Sequence, residues 1–256
     1  MADTLSLSEQ YRLHMRRRVH MLTGGSVALA LAFLLDVATG PAFLPLGQVA
    51  GAVLGRAPDR TIDAIVWGIR LPIASMAVVV GAALGLTGAL MQTILHNPLA
   101  SSYTLGVSAG AGFGAALVIV SGPLLPVPEA YAIPASAFVF AGVACASVWM
   151  IGSLRGATPE MLVLGGIALL FLFQALLSLL QFVASPEALQ QIVFWLFGSL
   201  QRATWPKLAL VAAVLIAAAP LLAADAWRLT ALKLGDERAR GLGVDVRRLR
   251  LRTFAL

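Results

Sequence analysis

The sequence predicts an all-α fold, a polytopic bundle of transmembrane helices. Two observations come from composition: 59% of the 256 residues are hydrophobic and only 12% are charged, and the mean hydropathy is +0.89. Soluble domains carry about 25% charged residues, so a lipid bilayer is the solvent that suits this much apolar surface. The third observation is a set of six apolar segments, at residues 21–38, 71–95, 104–120, 131–152, 161–184 and 206–223.

The six segments differ in length, and most approach the ~20 residues that a helix needs to cross the hydrocarbon core. The first follows a basic stretch and runs to Pro41 without a small-residue cleavage site, which favours a retained span over a signal peptide. The second is long enough to tilt or to project from the membrane, and His96-Asn97-Pro98 predicts its end. The third is short and rich in glycine.

Positive charges predict the orientation of the chain. If the N-terminus lies in the cytosol and the spans alternate, thirteen Lys and Arg residues fall on the cytosolic side and five on the outer side. We therefore expect a cytosolic N-terminus. The chain then divides into a cytosolic segment 1–20, a transmembrane domain 21–230, a cytosolic loop 231–252 and the start of a further span at 253–256, which makes a truncated sequence the expectation.

Composition and residue spacing exclude several function classes. The net charge of +6 does not indicate nucleic-acid binding, because the basic residues lie between apolar runs, as in cytosolic loops. We expect no metal site and no cofactor, since Cys145 is the only cysteine and the three histidines lack ligand spacing. Asp36, Glu160 and Asp225 fall near span ends, which weakens the case for proton coupling. The sequence carries no catalytic constellation and no phosphate-binding loop, so we do not expect an enzyme.

Small and polar residues mark particular helix faces. Glycines that repeat every four residues predict close helix packing; they are Gly81 and Gly85 in the second segment and Gly106, Gly110 and Gly114 in the third. The fifth segment carries a polar face that consists of Gln174, Ser178 and Gln181. This face predicts either the wall of a substrate passage or hydrogen bonds to a neighbouring helix.

The stretch 232–248 predicts a distinct shape on the cytosolic side. Asp236 can cap one short helix and Asp245 a second, with two glycines in the bend between them. Ala239 and Leu242 would then offer a small apolar knob that a partner can grip. The alternative is a basic loop that only follows the charge rule.

Four motifs occur in one order along the chain. Arg70-Leu71-Pro72 opens the second segment, and residues 81–92 read G-A-A-L-G-L-T-G-A-L-M-Q. The third motif combines Asn97-Pro98-Leu99-Ala100 with L-G-V-S-A-G-A at 105–111, and the fourth reads L-G-D-E-R-A-R-G-L-G-V at 234–244. These motifs resemble those of the FecCD family of ABC importer permeases, which carry iron–siderophore complexes, haem and vitamin B12. One departure is Ile73, where the family motif R-L-P-R has its second arginine.

The resemblance implies a fold of ten spans, about six of them present here, and a permease homodimer. Two ABC ATPase subunits would bind below, and a periplasmic or lipid-anchored substrate-binding protein above. The last motif would be the ATPase-coupling loop, with Asp236, Glu237, Ala239, Arg240, Leu242 and Gly243 as its contact residues. Arg70 would dock the binding protein, and Arg56 or Arg60 would replace the arginine missing at Ile73.

We therefore expect a multi-pass permease subunit in the cell inner membrane, driven by a separate ATPase. Residues 185–200 are similar to iron-complex members of the family, so the expected substrate is a ferric siderophore, then haem, then cobalamin. The alternatives are a secondary transporter or channel, and a nonfunctional fragment of the permease. An intramembrane enzyme would need mid-span catalytic groups, which the sequence lacks.

Overall fold

The computed structural model describes residues 7–39, 44–56, 59–122, 126–154 and 156–255. Within these ranges the chain is helical and contains no strand, which confirms the all-α fold class. The first six residues of the predicted cytosolic segment 1–20, and Leu256 of the predicted further span, lie outside the described residues.

Twelve helices are described. The first four are α1 (Leu7–Ala38), α2 (Leu46–Val53), α3 (Arg60–Ile65) and α4 (Leu71–Ile94), with a π-helical turn (Val66–Arg70) between α3 and α4. The next four are α5 (Val107–Ser121), α6 (Glu129–Leu154), α7 (Pro159–Val183) and α8 (Pro186–Phe197). The last four are α9 (Trp205–Ala224), α10 (Ala226–Leu232), α11 (Asp236–Gly241) and α12 (Val246–Ala255).

Each of the six predicted apolar segments corresponds to a helix. Among the described residues, five helical stretches are long and apolar enough to cross a membrane: residues 11–38 of α1, the continuous run 60–94, α6, α7 and α9. The sixth, α5, has 15 residues, fewer than the ~20 that a perpendicular span requires. It begins directly after Gly106, whose φ of 77° is left-handed, so the preceding backbone turns sharply into the helix.

The described chain forms two compact units, residues 1–79 with 200–210 and residues 80–199 with 211–256. The first unit has a small core that contains Val37, Val49, Ala52, Val66, Leu71 and Ala74. Two indole groups satisfy backbone carbonyls there: Trp67 Nε1 donates to the carbonyl of Ala52 at 3.0 Å, and Trp205 Nε1 donates to that of Trp67 at 2.8 Å.

The second unit is organised around α5, which packs against α6, α7 and α8. The approach to α6 is close because α5 presents glycine: a Cβ atom on Gly110 would lie 2.8 Å from the carbonyl oxygen of Phe140, and one on Gly114 would lie 2.6 Å from that of Ser136. The Ser136 hydroxyl donates to the carbonyl of Gly114 at 2.6 Å and joins the two helices directly. Short α5 is therefore an interior helix of this unit, held by backbone proximity.

Candidate functional site

The predicted cytosolic loop 231–252, together with the rest of α12, folds into a compact segment; we call residues 231–255 the coupling segment. Two short helices with a glycine bend are present as predicted: α11 and α12 are separated by Gly243, whose φ is 82°. The predicted cap of the second helix is also present, since Asp245 Oδ1 accepts the backbone N–H of Arg248 at 3.0 Å. Gly243 permits the reversal because a left-handed residue costs glycine little.

The prediction that Asp236 caps α11 is wrong. Gly235 holds the N-cap position with no side-chain cap, and Asp236 is the first residue of the helix. Its carboxylate is engaged instead by two side chains from outside α11, Arg250 of α12 and His96 just beyond α4. The N-terminus of a helix favours a negative charge, so the start of α11 still stabilises the carboxylate of Asp236.

The coupling segment has a buried inner face and an exposed outer face. Its inner residues share one core with residues from α4, α6, α7 and the chain that leads into α5; the segment's members are Ala231, Leu232, Ala239, Val244, Val246, Leu249 and Phe254. Ala239 is fully buried, so the predicted knob of Ala239 and Leu242 is wrong for the alanine. Leu242 is 53% exposed, and Glu237, Arg240 and Gly243 are exposed beside it. A partner can therefore reach these four positions and not Ala239.

Arg250 connects the coupling segment to the rest of the second unit. Its side chain is 2% exposed, and its Nε donates to the carbonyl of Ile94, the last residue of α4, at 2.7 Å. Nη1 donates at 2.9 Å to the carbonyl of Ala157, just before α7, and at 3.2 Å to Asp236 Oδ2. Nη2 donates to Asp236 Oδ1 at 2.9 Å, and His96 Nε2 lies 3.0 Å from the same oxygen. One guanidinium thus contacts three separate elements through bonds that its planar fork directs.

The electrostatics of this cluster favour an ionised Asp236. Partial burial raises the pKa of the carboxyl, but the hydrogen bonds and positive charges of Arg250 and His96 outweigh burial, so the pKa lies below its ordinary value. An open pocket of about 390 Å³ borders the cluster, and its lining includes His96, Thr158, Glu160 and Asp236. Asp236 and Arg250 form a hydrogen-bonded ion pair, which offsets the cost of burying the charge of Arg250.

A second ion-pair cluster joins α12 to the junction of α9 and α10. Asp225 is 2% exposed, and its Oδ1 accepts from Arg228 Nη1 at 2.7 Å. Its Oδ2 lies 3.5 Å from Arg252 Nε. Asp225 thus provides a second anchor for α12, through Arg252, two residues beyond Arg250.

The predicted docking arginines have different environments. Arg56 and Arg60 are exposed, whereas Arg70 is 6% exposed. Arg70 Nη1 donates at 2.9 Å to the carbonyls of Val37 and Ala38, the last two residues of α1. Because terminal helix carbonyls lack helical partners, Arg70 acts as a cap on α1. Its role in binding-protein docking stays a prediction.

The predicted passage residues differ in exposure, and the predicted packing glycines differ in how closely they approach other helices. On α7, Gln174 and Ser178 are exposed and Gln181 is half-buried, so the polar face is accessible within its unit. Of the packing glycines, Gly106, Gly110 and Gly114 approach other helices closely. A Cβ atom on Gly81 or Gly85 would meet no described atom within 4 Å. The substrate-passage role stays a prediction.

Sequence reasoning missed Arg250 and His96, although one signal was present for Arg250. The residues of α12 that are buried follow the spacing i, i+3, i+4, i+7 and i+8 from Val246 to Phe254. Arg250 occupies the i+4 position of this apolar stripe, where a charged residue is buried only with partners. His96 carried no comparable signal, because its partner is 140 residues away.

Comparison with known proteins identifies the family. The model of the FecCD transport family matches residues 28–256. The chain belongs to the FecCD transport family. A FecCD relative from Methanocaldococcus jannaschii, named as an ABC transporter permease, is 34% identical over 255 residues, which cover 96% of this chain and 73% of the relative.

Two further FecCD relatives are named by their import systems. The molybdate import permease of Haemophilus influenzae is 32% identical over 90% of this chain and 68% of its own. The ferric enterobactin transport permease of Escherichia coli is 34% identical over 88% of this chain and 66% of its own.

One solved FecCD-like chain is described as an inward-facing metal-chelate type ABC transporter. It matches with a TM-score of 0.78 and 30% identity over 92% of this chain and 71% of that one. This FecCD permease is accordingly a multi-pass membrane transport protein and not an enzyme; in bacterial importers of this type the permease lies in the inner membrane, and ATP hydrolysis belongs to a partner subunit.

Proposed function

We propose that the chain is the permease subunit of an importer for a ferric siderophore, with haem as the alternative substrate, and that it receives work from its ATPase through the coupling segment. The observation that carries this proposal is the two-faced structure of that segment. The inner face is built into the core of the second unit, and the outer face exposes Leu242 between Arg240 and Gly243. A surface of this kind can bind a partner and still move as one body with the helices behind it.

The ATPase contact depends on an apolar centre with charges around it. Leu242 supplies the apolar side chain, and Glu237 and Arg240 supply charges of both signs at the rim. Apolar burial provides affinity, while rim charges mainly affect association rate and register. Asp236 and Ala239 support this surface from behind and do not touch the partner.

Substrate choice is supported by the resemblance of residues 185–200 of this chain to iron-complex permeases and by the relative named for ferric enterobactin. The relative named for molybdate shows that the family also includes a permease for an oxyanion. The proposed assembly is a homodimer with its N-termini in the cytosol and a binding protein on the outer side. The exposed Arg56 and Arg60 suit that docking surface better than the buried Arg70.

The first experiment tests the ATPase contact. Leu242→Arg should reduce copurification of the ABC ATPase of the same import system by about tenfold or more, because burying a leucine contributes about 1.5–3 kcal/mol. Leu54→Arg is the matched control, since Leu54 is 74% exposed and lies in the first unit. Equal ATPase recovery with both variants would contradict the proposed contact.

The second experiment tests the substrate. Cells that express the chain with its ATPase and binding protein are given radiolabelled ferric siderophore, haemin or molybdate. We expect energy-dependent uptake of the ferric siderophore that unlabelled ferric siderophore suppresses and molybdate does not. Uptake of molybdate alone would replace the iron proposal, and uptake of haemin alone would select the alternative.

A further inference from the structure

Two membrane helices come together with the coupling segment at one buried side chain. Arg250 lies on α12, and its donors reach the end of α4 at Ile94, the start of α7 at Ala157, and α11 at Asp236. The carbonyl of Ile94 is a terminal helix carbonyl without a helical partner. Because α4 ends at Ile94, the guanidinium supplies the hydrogen bond that a further turn of the helix would otherwise have provided.

The backbone around this contact is held in an uncommon conformation. His96 and Ala157, both non-glycine residues, have φ values of 48° and 55°. Such residues persist where the surroundings determine the conformation. Ala157 accepts from Arg250, and His96 lies 3.0 Å from the Asp236 oxygen that Arg250 also binds. The cluster therefore determines the chain path at the exit from α4 and at the entry to α7.

Packing holds this junction together but does not by itself fix the direction in which a displacement is passed on. The residues that surround it, among them Ile94, Leu162 and Leu249, are aliphatic. Aliphatic contacts are non-directional, whereas the bonds of a guanidinium fork fix both distance and angle. Among the described residues, the side-chain hydrogen bonds that lead from α11 to the ends of α4 and α7 start at Asp236: one goes to His96, just beyond α4, and two go to Arg250, which alone continues to Ile94 and Ala157.

We infer that Arg250 is a positioning residue that transmits movement of the coupling segment to the cytosolic ends of α4 and α7. The inference rests on the proposed ATPase contact but concerns a different step. The ATPase binds the exposed face at Leu242, and the buried side of the segment carries the displacement onward. Loss of Arg250 separates these two steps, because binding persists and transmission fails.

The experiment measures movement at the end of α4. A fluorescent label is placed on Leu99→Cys, in a background where Cys145, the only native cysteine, is replaced by alanine. Leu99 is 81% exposed and lies five residues beyond Ile94. The chain is reconstituted with the ABC ATPase of its import system in nanodiscs, and the change in fluorescence on addition of ATP is recorded together with ATPase retention.

Arg250→Gln should keep the ATPase and reduce the ATP-dependent signal at least about fivefold, the lower end of typical coupling between sites. Arg250→Lys should restore part of the signal, because it keeps the charge but lacks the fork. Arg248→Gln is the control: it removes the same charge from α12 at a side chain that is 86% exposed. If Arg250 had only a structural role, its substitution would change thermal stability. The ATP-dependent signal of the folded variants would then not decrease in Arg250→Gln and partly recover in Arg250→Lys.

Asp236→Asn covers the case in which Arg250→Gln does not fold, since it keeps shape and leaves Arg250 on its two carbonyls. It should also reduce the signal while the ATPase is retained. Wild-type signal amplitude in folded Asp236→Asn or Arg250→Gln overturns the inference and leaves the proposed ATPase contact intact. Failure of the unmodified chain to retain the ATPase overturns both.

Discussion

Substitution of one glycine on α5 provides a direct test of the helix packing. In Gly114→Ala the new Cβ atom would lie 2.6 Å from the carbonyl oxygen of Ser136 and 2.9 Å from the Cβ atom of Phe140. Both neighbours belong to α6, and the nearer one is backbone, so α5 and α6 must separate to admit the methyl group. Separation also lengthens the 2.6 Å hydrogen bond from Ser136 to Gly114.

The magnitude follows from two opposing effects. Overpacking by one methyl group costs about 1–3 kcal/mol, and alanine is favoured over glycine inside a helix by about 1 kcal/mol. Gly142→Ala in α6 is the matched control, because a Cβ atom there meets no described atom within 4 Å. Both variants gain the same helix propensity when alanine replaces glycine, so this gain cancels when their stabilities are compared. We therefore expect Gly114→Ala to be less stable than Gly142→Ala by about 1–3 kcal/mol.

The assay is thermal unfolding in detergent micelles. The fluorescently tagged chain is heated, and the fraction that stays folded is measured by size-exclusion chromatography. Gly142→Ala should unfold at or slightly above the wild-type temperature, and Gly114→Ala clearly below it. Equal shifts in the two variants would refute the reasoning, since they would mean that α5 and α6 do not approach as closely as the structure shows.

Three further outcomes are expected. Arg70→Gln should destabilise the chain by about 1–3 kcal/mol, because the last carbonyls of α1 lose a buried donor, whereas exposed Arg60→Gln should stay within about 0.5 kcal/mol in the same unfolding assay. The depressed pKa of Asp236 means that its carboxylate stabilises the fold above the unfolded-state pKa of about 4 and that this contribution is lost as the pH falls through the lower folded-state pKa. Unfolding temperatures measured from about pH 6 to about pH 3 should thus fall less in Asp236→Asn than in Asp245→Asn, and identical pH profiles would contradict this. Leu242→Cys, in a chain without the native cysteine, should react with an impermeant maleimide in inverted vesicles only; reaction in sealed right-side-out cells would reverse the predicted orientation.

Hydropathy was sufficient to locate the long helices, because a span must be apolar over its whole length. It did not identify the short helix α8, although local signals were present. Ser185 accepts the N–H of Ala188 at 3.2 Å as an N-cap, and Pro186 is the first helical residue. Such signals are weaker than a run of apolar residues and are masked when the flanking chain is also hydrophobic.

The candidate site was predicted in outline and missed in detail. Local rules explain the Gly243 bend and the Asp245 cap, because turn and cap chemistry involve neighbouring residues. The burial of Ala239 and the pairing of Asp236 with Arg250 depend on where α4 and α7 end in space. Contacts between residues 94 and 250 leave no periodic trace in a single sequence. Only the apolar stripe of α12 placed Arg250 on an inner face.

The π-helical turn at Val66–Arg70 has a consequence for insertions and deletions. A π turn accommodates one residue more than the α-helical turn that would follow the same path, so it lets α3 and α4 keep a common orientation despite that extra residue. Deleting one residue between positions 66 and 70 removes the extra residue, and the run can then continue as a regular α-helix with α3 in nearly its present orientation. Ile62 keeps its packing against the small core of the first unit in that variant. Deleting one residue from the regular helix on either side would instead rotate α3 relative to α4 by about 100°. The run should therefore tolerate the loss of one residue inside the π turn and resist it elsewhere.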